Sequence, residues 1–100
     1  MRLTIIPSDS AIYKDNYVFM ELDLSSANIP ADVHALQWNI DKGWIEYVDD
    51  AQVNEPITEL PAWANTCVDI WQAAKTAEEE AIAAAEAAEA EAAAENNPPA

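Results

Sequence analysis

The hydrophobic positions of this chain follow two periods, and the change falls near residue 57. Up to residue 56, apolar, β-branched and aromatic residues come in short alternating runs between turn-formers, which is the pattern of strands. From residue 61 the apolar spacing becomes three and four, that of a helix. The first run, RLTII at 2–6, ends in the turn cluster PSDS at 7–10. AIYK (11–14) and YVFMELDL (17–24) read as the next two strands. Asp15 and Asn16 join them, because both tolerate the left-handed backbone that a two-residue hairpin turn needs. In that register Tyr13 faces Val18 and Ile12 faces Phe19. Val18, Met20 and Leu22 share one side, and Tyr17, Phe19 and Glu21 the other.

SSANIPADVHA (25–35) is a connection, with Ile29 held extended by Pro30 and one helical turn expected over Ala31–Val33. LQWNIDKGWIEYVDD (36–50) then carries the only glycine of the chain between two tryptophans. Asp41 and Lys42 suit the centre of a type I turn, with Gly43 at the left-handed position of a G1 bulge. That register pairs Ile40 with Trp44, Trp38 with Glu46 and Leu36 with Val48. It places Leu36, Trp38, Ile40, Trp44 and Val48 on one face, and Ile45 and Tyr47 on the other with Gln37 and Asn39. DDAQVNEPITEL (49–60) reads as a polar connection.

In LPAWANTCVDIWQAAK (60–75), Leu60, Trp63, Cys67, Ile70, Trp71 and Ala74 form one helical face, with Asn65, Asp69, Gln72 and Thr76 opposite. Pro61 suits the first turn. The rest, AEEEAIAAAEAAEAEAAAE (77–95), keeps strong helix formers but leaves only Ile82 as a bulky apolar residue. A helix over 61–95 would run about 52 Å, longer than a small domain is wide, so its distal half is expected to project. Ala74, Ala77, Ala81, Ala84 and Ala88 continue the same spacing. Two readings stay open: a narrow seam for self-association, or a single solvated helix. The closing NNPPA (96–100) reads as a disordered tail, stopped by Pro98 and Pro99.

The expected fold is therefore α+β: a small antiparallel sheet of about four strands in residues 1–56, and a long C-terminal helix in 57–95. Residues 61–76 of that helix would be packed on the sheet and 77–95 would project. One hundred residues hold one small domain, burying roughly 60–70% of the unfolded surface.

Charge narrows the partners. Four basic against nineteen acidic residues give −15, which disfavours nucleic acid and anionic membrane and favours a neutral or basic protein. The segment 77–100 holds seven glutamates and no cation, leaving −8 in residues 1–76. A lone cysteine excludes an internal disulfide and fits a reducing compartment. There is no 18-residue apolar run and no signal-peptide core, so a cytoplasmic site is expected.

No motif carries chemistry. His34, the only histidine, has no nucleophile or orienting partner in view. Cys67 lies on the apolar helix face and reads as a small hydrophobe. One histidine and one cysteine do not make a zinc site, and one glycine does not make a phosphate-cradling loop. The expectation is a non-enzymatic protein without cofactor or metal. The aromatic residues are more informative: a single helix cannot cover all of them, and uncovered aromatics mark binding surfaces. Tyr13, Tyr17, Phe19, Trp38, Trp44 and Tyr47 are the expected partner-binding residues.

LTIIPSD, IPADVHALQW, GWIEY and LPAWA, followed by the alanine–glutamate tail, resemble small tail-fibre assembly or tail assembly chaperone-like proteins of tailed bacteriophages, cyanophages among them. The resemblance covers roughly residues 1–75. Members often carry Asp-Gly or Asn-Gly where this chain has Asp15 and Asn16. It implies a chaperone or adaptor that binds a fibre protein through aromatic surface and free β-edges in the host cytoplasm. The alternative is a structural virion component, a fibre cap or tail connector retained in the tail.

Overall fold

The computed structural model describes residues 1–96 and is an α+β fold. Six strands form one antiparallel sheet: β1 (Arg2–Ile6), β2 (Ala11–Lys14), β3 (Tyr17–Phe19), β4 (Val33–Asn39), β5 (Lys42–Tyr47) and β6 (Glu55–Ile57). Their spatial order is β3-β2-β1-β4-β5-β6. A single helix, α1 (Ala62–Asn96), follows. The sheet is thus wider than the expected four strands. The added strand β6 lies in the stretch read as a polar connection, where Val53, Pro56 and Ile57 are too sparse to show alternation.

The first hairpin forms as the sequence indicates. Asp15 and Asn16 are both left-handed, and Ile12–Phe19, Tyr13–Val18 and Lys14–Tyr17 are paired. β3 stops at Phe19, five residues before the expected end, and Glu21 takes a left-handed conformation (φ 58°) that a continuing strand does not admit. The connection holds a 3₁₀ turn at Ser25–Ala27. At Ala31–Val33 there is no helical turn. Val33 N–H closes a tight turn on Pro30 C=O (3.1 Å) and enters β4 directly.

The second hairpin corrects the expected register by three residues. Asn39 pairs with Lys42, Trp38 with Gly43, Gln37 with Trp44 and Leu36 with Ile45. The turn residues are Ile40 and Asp41, and Ile40 rather than Gly43 is left-handed (φ 65°). Asp41 N–H bonds to Asn39 C=O at 2.8 Å, a γ-turn centred on Ile40. Side chains alternate with period two, so a slip by an odd number of residues exchanges the faces of a strand. Ile45 therefore enters the core and Tyr47 turns to the helix side, while Trp44 turns out and Val48 is left exposed. The glycine serves a different need: a Cβ on Gly43 would lie 2.0 Å from the Gln37 carbonyl oxygen and 2.9 Å from Trp38 Cα. Only a residue without a side chain fits so close an approach of two strands.

The core lies between one sheet face and the first four turns of α1. Phe19, Ile12, Ile5, Leu36 and Ile45 form a continuous cross-strand row, with Leu3 and Trp38 one step along. Ala64, Cys67 and Trp71 of α1 are buried against them, flanked by half-buried Trp63, Val68 and Ile70. Each fully buried large side chain contributes about 1.5–3 kcal/mol. Ala64 is fully buried although it lies off the predicted face, so the buried stripe is turned slightly from the predicted one. The predicted polar stripe, Asn65, Asp69, Gln72 and Thr76, is exposed. Every residue from Glu79 to Ala90 is exposed, which makes this stretch a projection. The long axis of the molecule reaches 74 Å, and its radius of gyration is 19.3 Å against about 13 Å for a compact chain of this size. The expected loose tail falls mainly outside the described residues, and Asn96 belongs to the helix.

Candidate protein-binding face

Because α1 covers one side of the sheet, the other side is open. Alternation from the observed register places Val18, Tyr13, Thr4, Gln37, Trp44 and Pro56 in a single row across all six strands of that side. Tyr13 and Trp44 are 39% and 43% exposed, large values for rings standing on a sheet. Between them Thr4 Oγ1 donates to Gln37 Oε1 at 2.6 Å. Trp44 Nε1 donates to Glu46 Oε2 at 3.1 Å on the same face, fixing the ring. A depression of about 280 Å³ is lined by Arg2, Thr4, Ile6, Tyr13, Asn16 and Gln37. A smaller one of about 120 Å³ shares Arg2, Thr4 and Gln37 and extends to Trp44 and Asn39.

Charge is distributed unevenly. The strand positions of the open face carry two cations, Arg2 and Lys42, and one carboxylate, Glu46, in a chain of −15. Aromatic side chains and arginine, with few carboxylates, are the composition of interface cores.

The six residues expected to bind a partner do not form one patch. Tyr13 and Trp44 stand on the open face. Trp38 is 8% exposed and belongs to the core. Tyr47 is half-buried on the helix side, with its hydroxyl 3.3 Å from both Glu55 carboxylate oxygens. Burial, and then Glu55, raise its pKa. Tyr17 and Phe19 form a cluster with Trp71: ring centroids lie 5.2 Å apart for Tyr17–Phe19, 6.2 Å for Tyr17–Trp71 and 5.9 Å for Phe19–Trp71. Lys14 Nζ sits 4.6 Å from the Trp71 ring centre and Lys75 Nζ 4.0 Å from that of Tyr17, while Glu78 accepts the Tyr17 hydroxyl. That hydrogen bond raises the Tyr17 pKa. This cluster fastens the helix to the first hairpin and is occupied by its own members.

Arg2, Thr4, Gln37, Asn39 and Lys42 of the open face are not among the expected partner-binding residues. The alternation in RLTII points Arg2 and Thr4 away from Leu3 and Ile5, and Gln37 and Asn39 stand opposite Leu36 and Trp38 as the sequence indicates; only the face of Lys42 and Trp44 depends on the hairpin register.

Both sheet edges are three residues long. β6 carries Pro56, which has no N–H for an added strand, so the edges offer little to pair with and the open face offers more. His34 is exposed at a bulge between Val33 and Ala35. Burial pushes the Cys67 thiol up to about 11, away from thiolate chemistry. Among the described residues, no group of three or more His, Cys, Asp or Glu is placed to hold a metal ion. No helix of the described residues is long and apolar enough to cross a membrane. No family model, no curated protein and no solved structure matches this chain.

Proposed function

We propose that the protein is a non-enzymatic assembly chaperone or adaptor that docks another polypeptide on the open face of its sheet. The observation that carries this reading is the row from Val18 to Pro56. It places two half-exposed rings, Tyr13 and Trp44, about a polar floor on a face nearly free of the carboxylates that cover the rest of the chain. Flat faces of this composition gain binding energy from a few anchoring aromatics. The partner class rests on the resemblance of residues 1–75 to phage tail-fibre assembly proteins: an immature fibre or other tail protein in the host cytoplasm.

Co-expression with the neighbouring fibre gene tests it. Soluble fibre trimer is expected to rise several-fold with the wild-type chain and to return to baseline with the Tyr13→Ala/Trp44→Ala double variant. Equal yields from wild-type and variant chains would remove the face from the mechanism, and equal yields without any chain would remove the fibre.

The projecting stretch from Glu79 onward favours a second reading, a connector or fibre cap retained in the particle. Mass spectrometry of purified virions separates the two: the chaperone is absent and the connector is stoichiometric.

A further inference from the structure

A second cross-strand row lies beside the aromatic one. Arg2 pairs with Asn39, and Asn39 pairs with Lys42, so the three residues cross β1, β4 and β5 on the open face. Neighbouring strands are about 4.8 Å apart, which sets the Cα atoms of Arg2 and Lys42 about 10 Å apart with that of Asn39 midway, and the row lies about 7 Å along the strands from Thr4, Gln37 and Trp44. The other two cations of the chain are engaged: Lys14 with Asp15 and the Trp71 ring, Lys75 with Glu79 and the Tyr17 ring. Among the described residues neither Arg2 nor Lys42 has a carboxylate within ion-pair distance. Nineteen acidic residues are present, yet the one place with two unpaired cations is the face that also bears the exposed rings.

We infer that this face recognises an acidic apolar segment of its partner, with an Asp or Glu side chain held over Asn39 between Arg2 and Lys42 and an adjoining apolar or aromatic residue against the Tyr13–Trp44 row. The geometry suits a carboxylate in particular: a guanidinium and an amide give it directional N–H donors, and the ammonium adds charge. The −15 of the whole chain does not forbid this, because at physiological salt fields decay over about 8 Å and the nearby charges decide. The segment binds as a short stretch laid on the face; the three-residue edges are too short to guide strand addition. The inference rests on the open face being the docking surface.

The test is a titration of the full-length ¹⁵N-labelled chain with three capped tripeptides: acetyl-Trp-Glu-Leu-amide, its Gln analogue and its Lys analogue. The Glu peptide is expected to shift the amides of Thr4, Gln37 and Asn39 and the Trp44 indole. It is expected to bind about five- to tenfold more tightly than the Gln peptide at low salt, with the Lys peptide weakest. The advantage should vanish in Arg2→Gln/Lys42→Gln, whose two sites are exposed and outside the core. Equal binding of Glu and Gln peptides on the same residues would overturn the carboxylate site and leave the docking face intact. Preference for the Lys peptide would overturn the charge argument. No shift on the open face with any peptide would overturn the inference and the docking face together.

Discussion

The indole Nε1 of Trp71 donates to the main-chain carbonyl of Tyr17 at 3.1 Å, tying α1 to a strand 54 residues earlier in the chain. The same indole is 5% exposed and takes the edges of Tyr17 and Phe19. One side chain thus supplies packing and a polar anchor at the point where the helix leaves the sheet. Trp71→Ala is expected to cost about 3–5 kcal/mol, as for a buried aromatic truncated in a core. Trp71→Phe keeps most of the packing but removes the donor, and about 1–3 kcal/mol is expected. Denaturant unfolding of the two variants reads both values. A smaller loss for Ala than for Phe would show that the helix is not anchored there.

The hairpin register makes neighbouring residues opposite in consequence. Ile45 is 6% exposed beside Leu36, while Trp44 stands outside. Ile45→Ala should lower stability by about 2–4 kcal/mol, and Trp44→Ala should leave it within about 0.5 kcal/mol. The register expected from the sequence, three residues away, requires the reverse order. The pair of unfolding curves therefore checks the face assignment on which the proposed function depends.

That register is also where sequence reading and structure part. The first hairpin was legible because Asp15 and Asn16 announce their turn, and the helix was legible because Trp63, Cys67, Ile70 and Trp71 repeat at three and four. The second hairpin misleads, because its only glycine suggests a turn residue. The left-handed position falls instead on Ile40, a residue type that rarely accepts it, and Gly43 answers a steric need created by the facing strand. Nothing local announces such an approach between strands, so the sequence alone puts Trp44 on the core face and Ile45 on the open one. The binding face is half visible as a result: Tyr13 reads as a contact residue and Gln37 and Asn39 as outward, while Trp44 and Lys42 join them only in the observed register of β4 and β5.

Exchanging the two residue types at that turn should follow the steric account. Gly43→Ala places a methyl group 2.0 Å from the Gln37 carbonyl oxygen, so strands β4 and β5 must separate. A loss above about 2 kcal/mol is expected. Ile40→Gly relieves a β-branched residue of left-handed strain, with a smaller entropic cost in the unfolded chain. Ile40 is 74% exposed, so little burial is lost. A net gain of about 0.5–1 kcal/mol should appear as a higher denaturation midpoint with unchanged slope.

Alkaline pH should weaken the fold through three groups. The Cys67 thiol is raised from 9.0 to about 11 by burial, Tyr17 is raised above 10.0 by its hydrogen bond to Glu78, and Tyr47 is raised above 10.0 by burial and then by Glu55. All three favour the protonated form when folded. Their contribution is therefore full below the unfolded pKa values and is lost as pH climbs through the folded ones. Stability is expected to fall from about pH 9 upward. Cys67→Ala should flatten the part of the decline between 9.0 and about 11, and Tyr17→Phe the part above 10.0. A decline unchanged in both variants would assign it to other groups.

The projecting half of α1 should be dispensable for folding. Glu78 still reaches the sheet by holding Tyr17, and residues 79–90 beyond it are exposed throughout. A chain ending at Glu80 is expected to keep the unfolding midpoint of the full chain while losing helical circular dichroism, because residues 81–90 bury nothing on the sheet. Ending the chain before Trp71 should abolish the cooperative transition. Seven glutamates without a cation repel one another across any homotypic seam, so full and shortened chains are both expected to sediment as monomers at neutral pH. A full-length oligomer that dissociates on shortening would instead establish the alanine positions from Ala77 to Ala88 as a contact between copies.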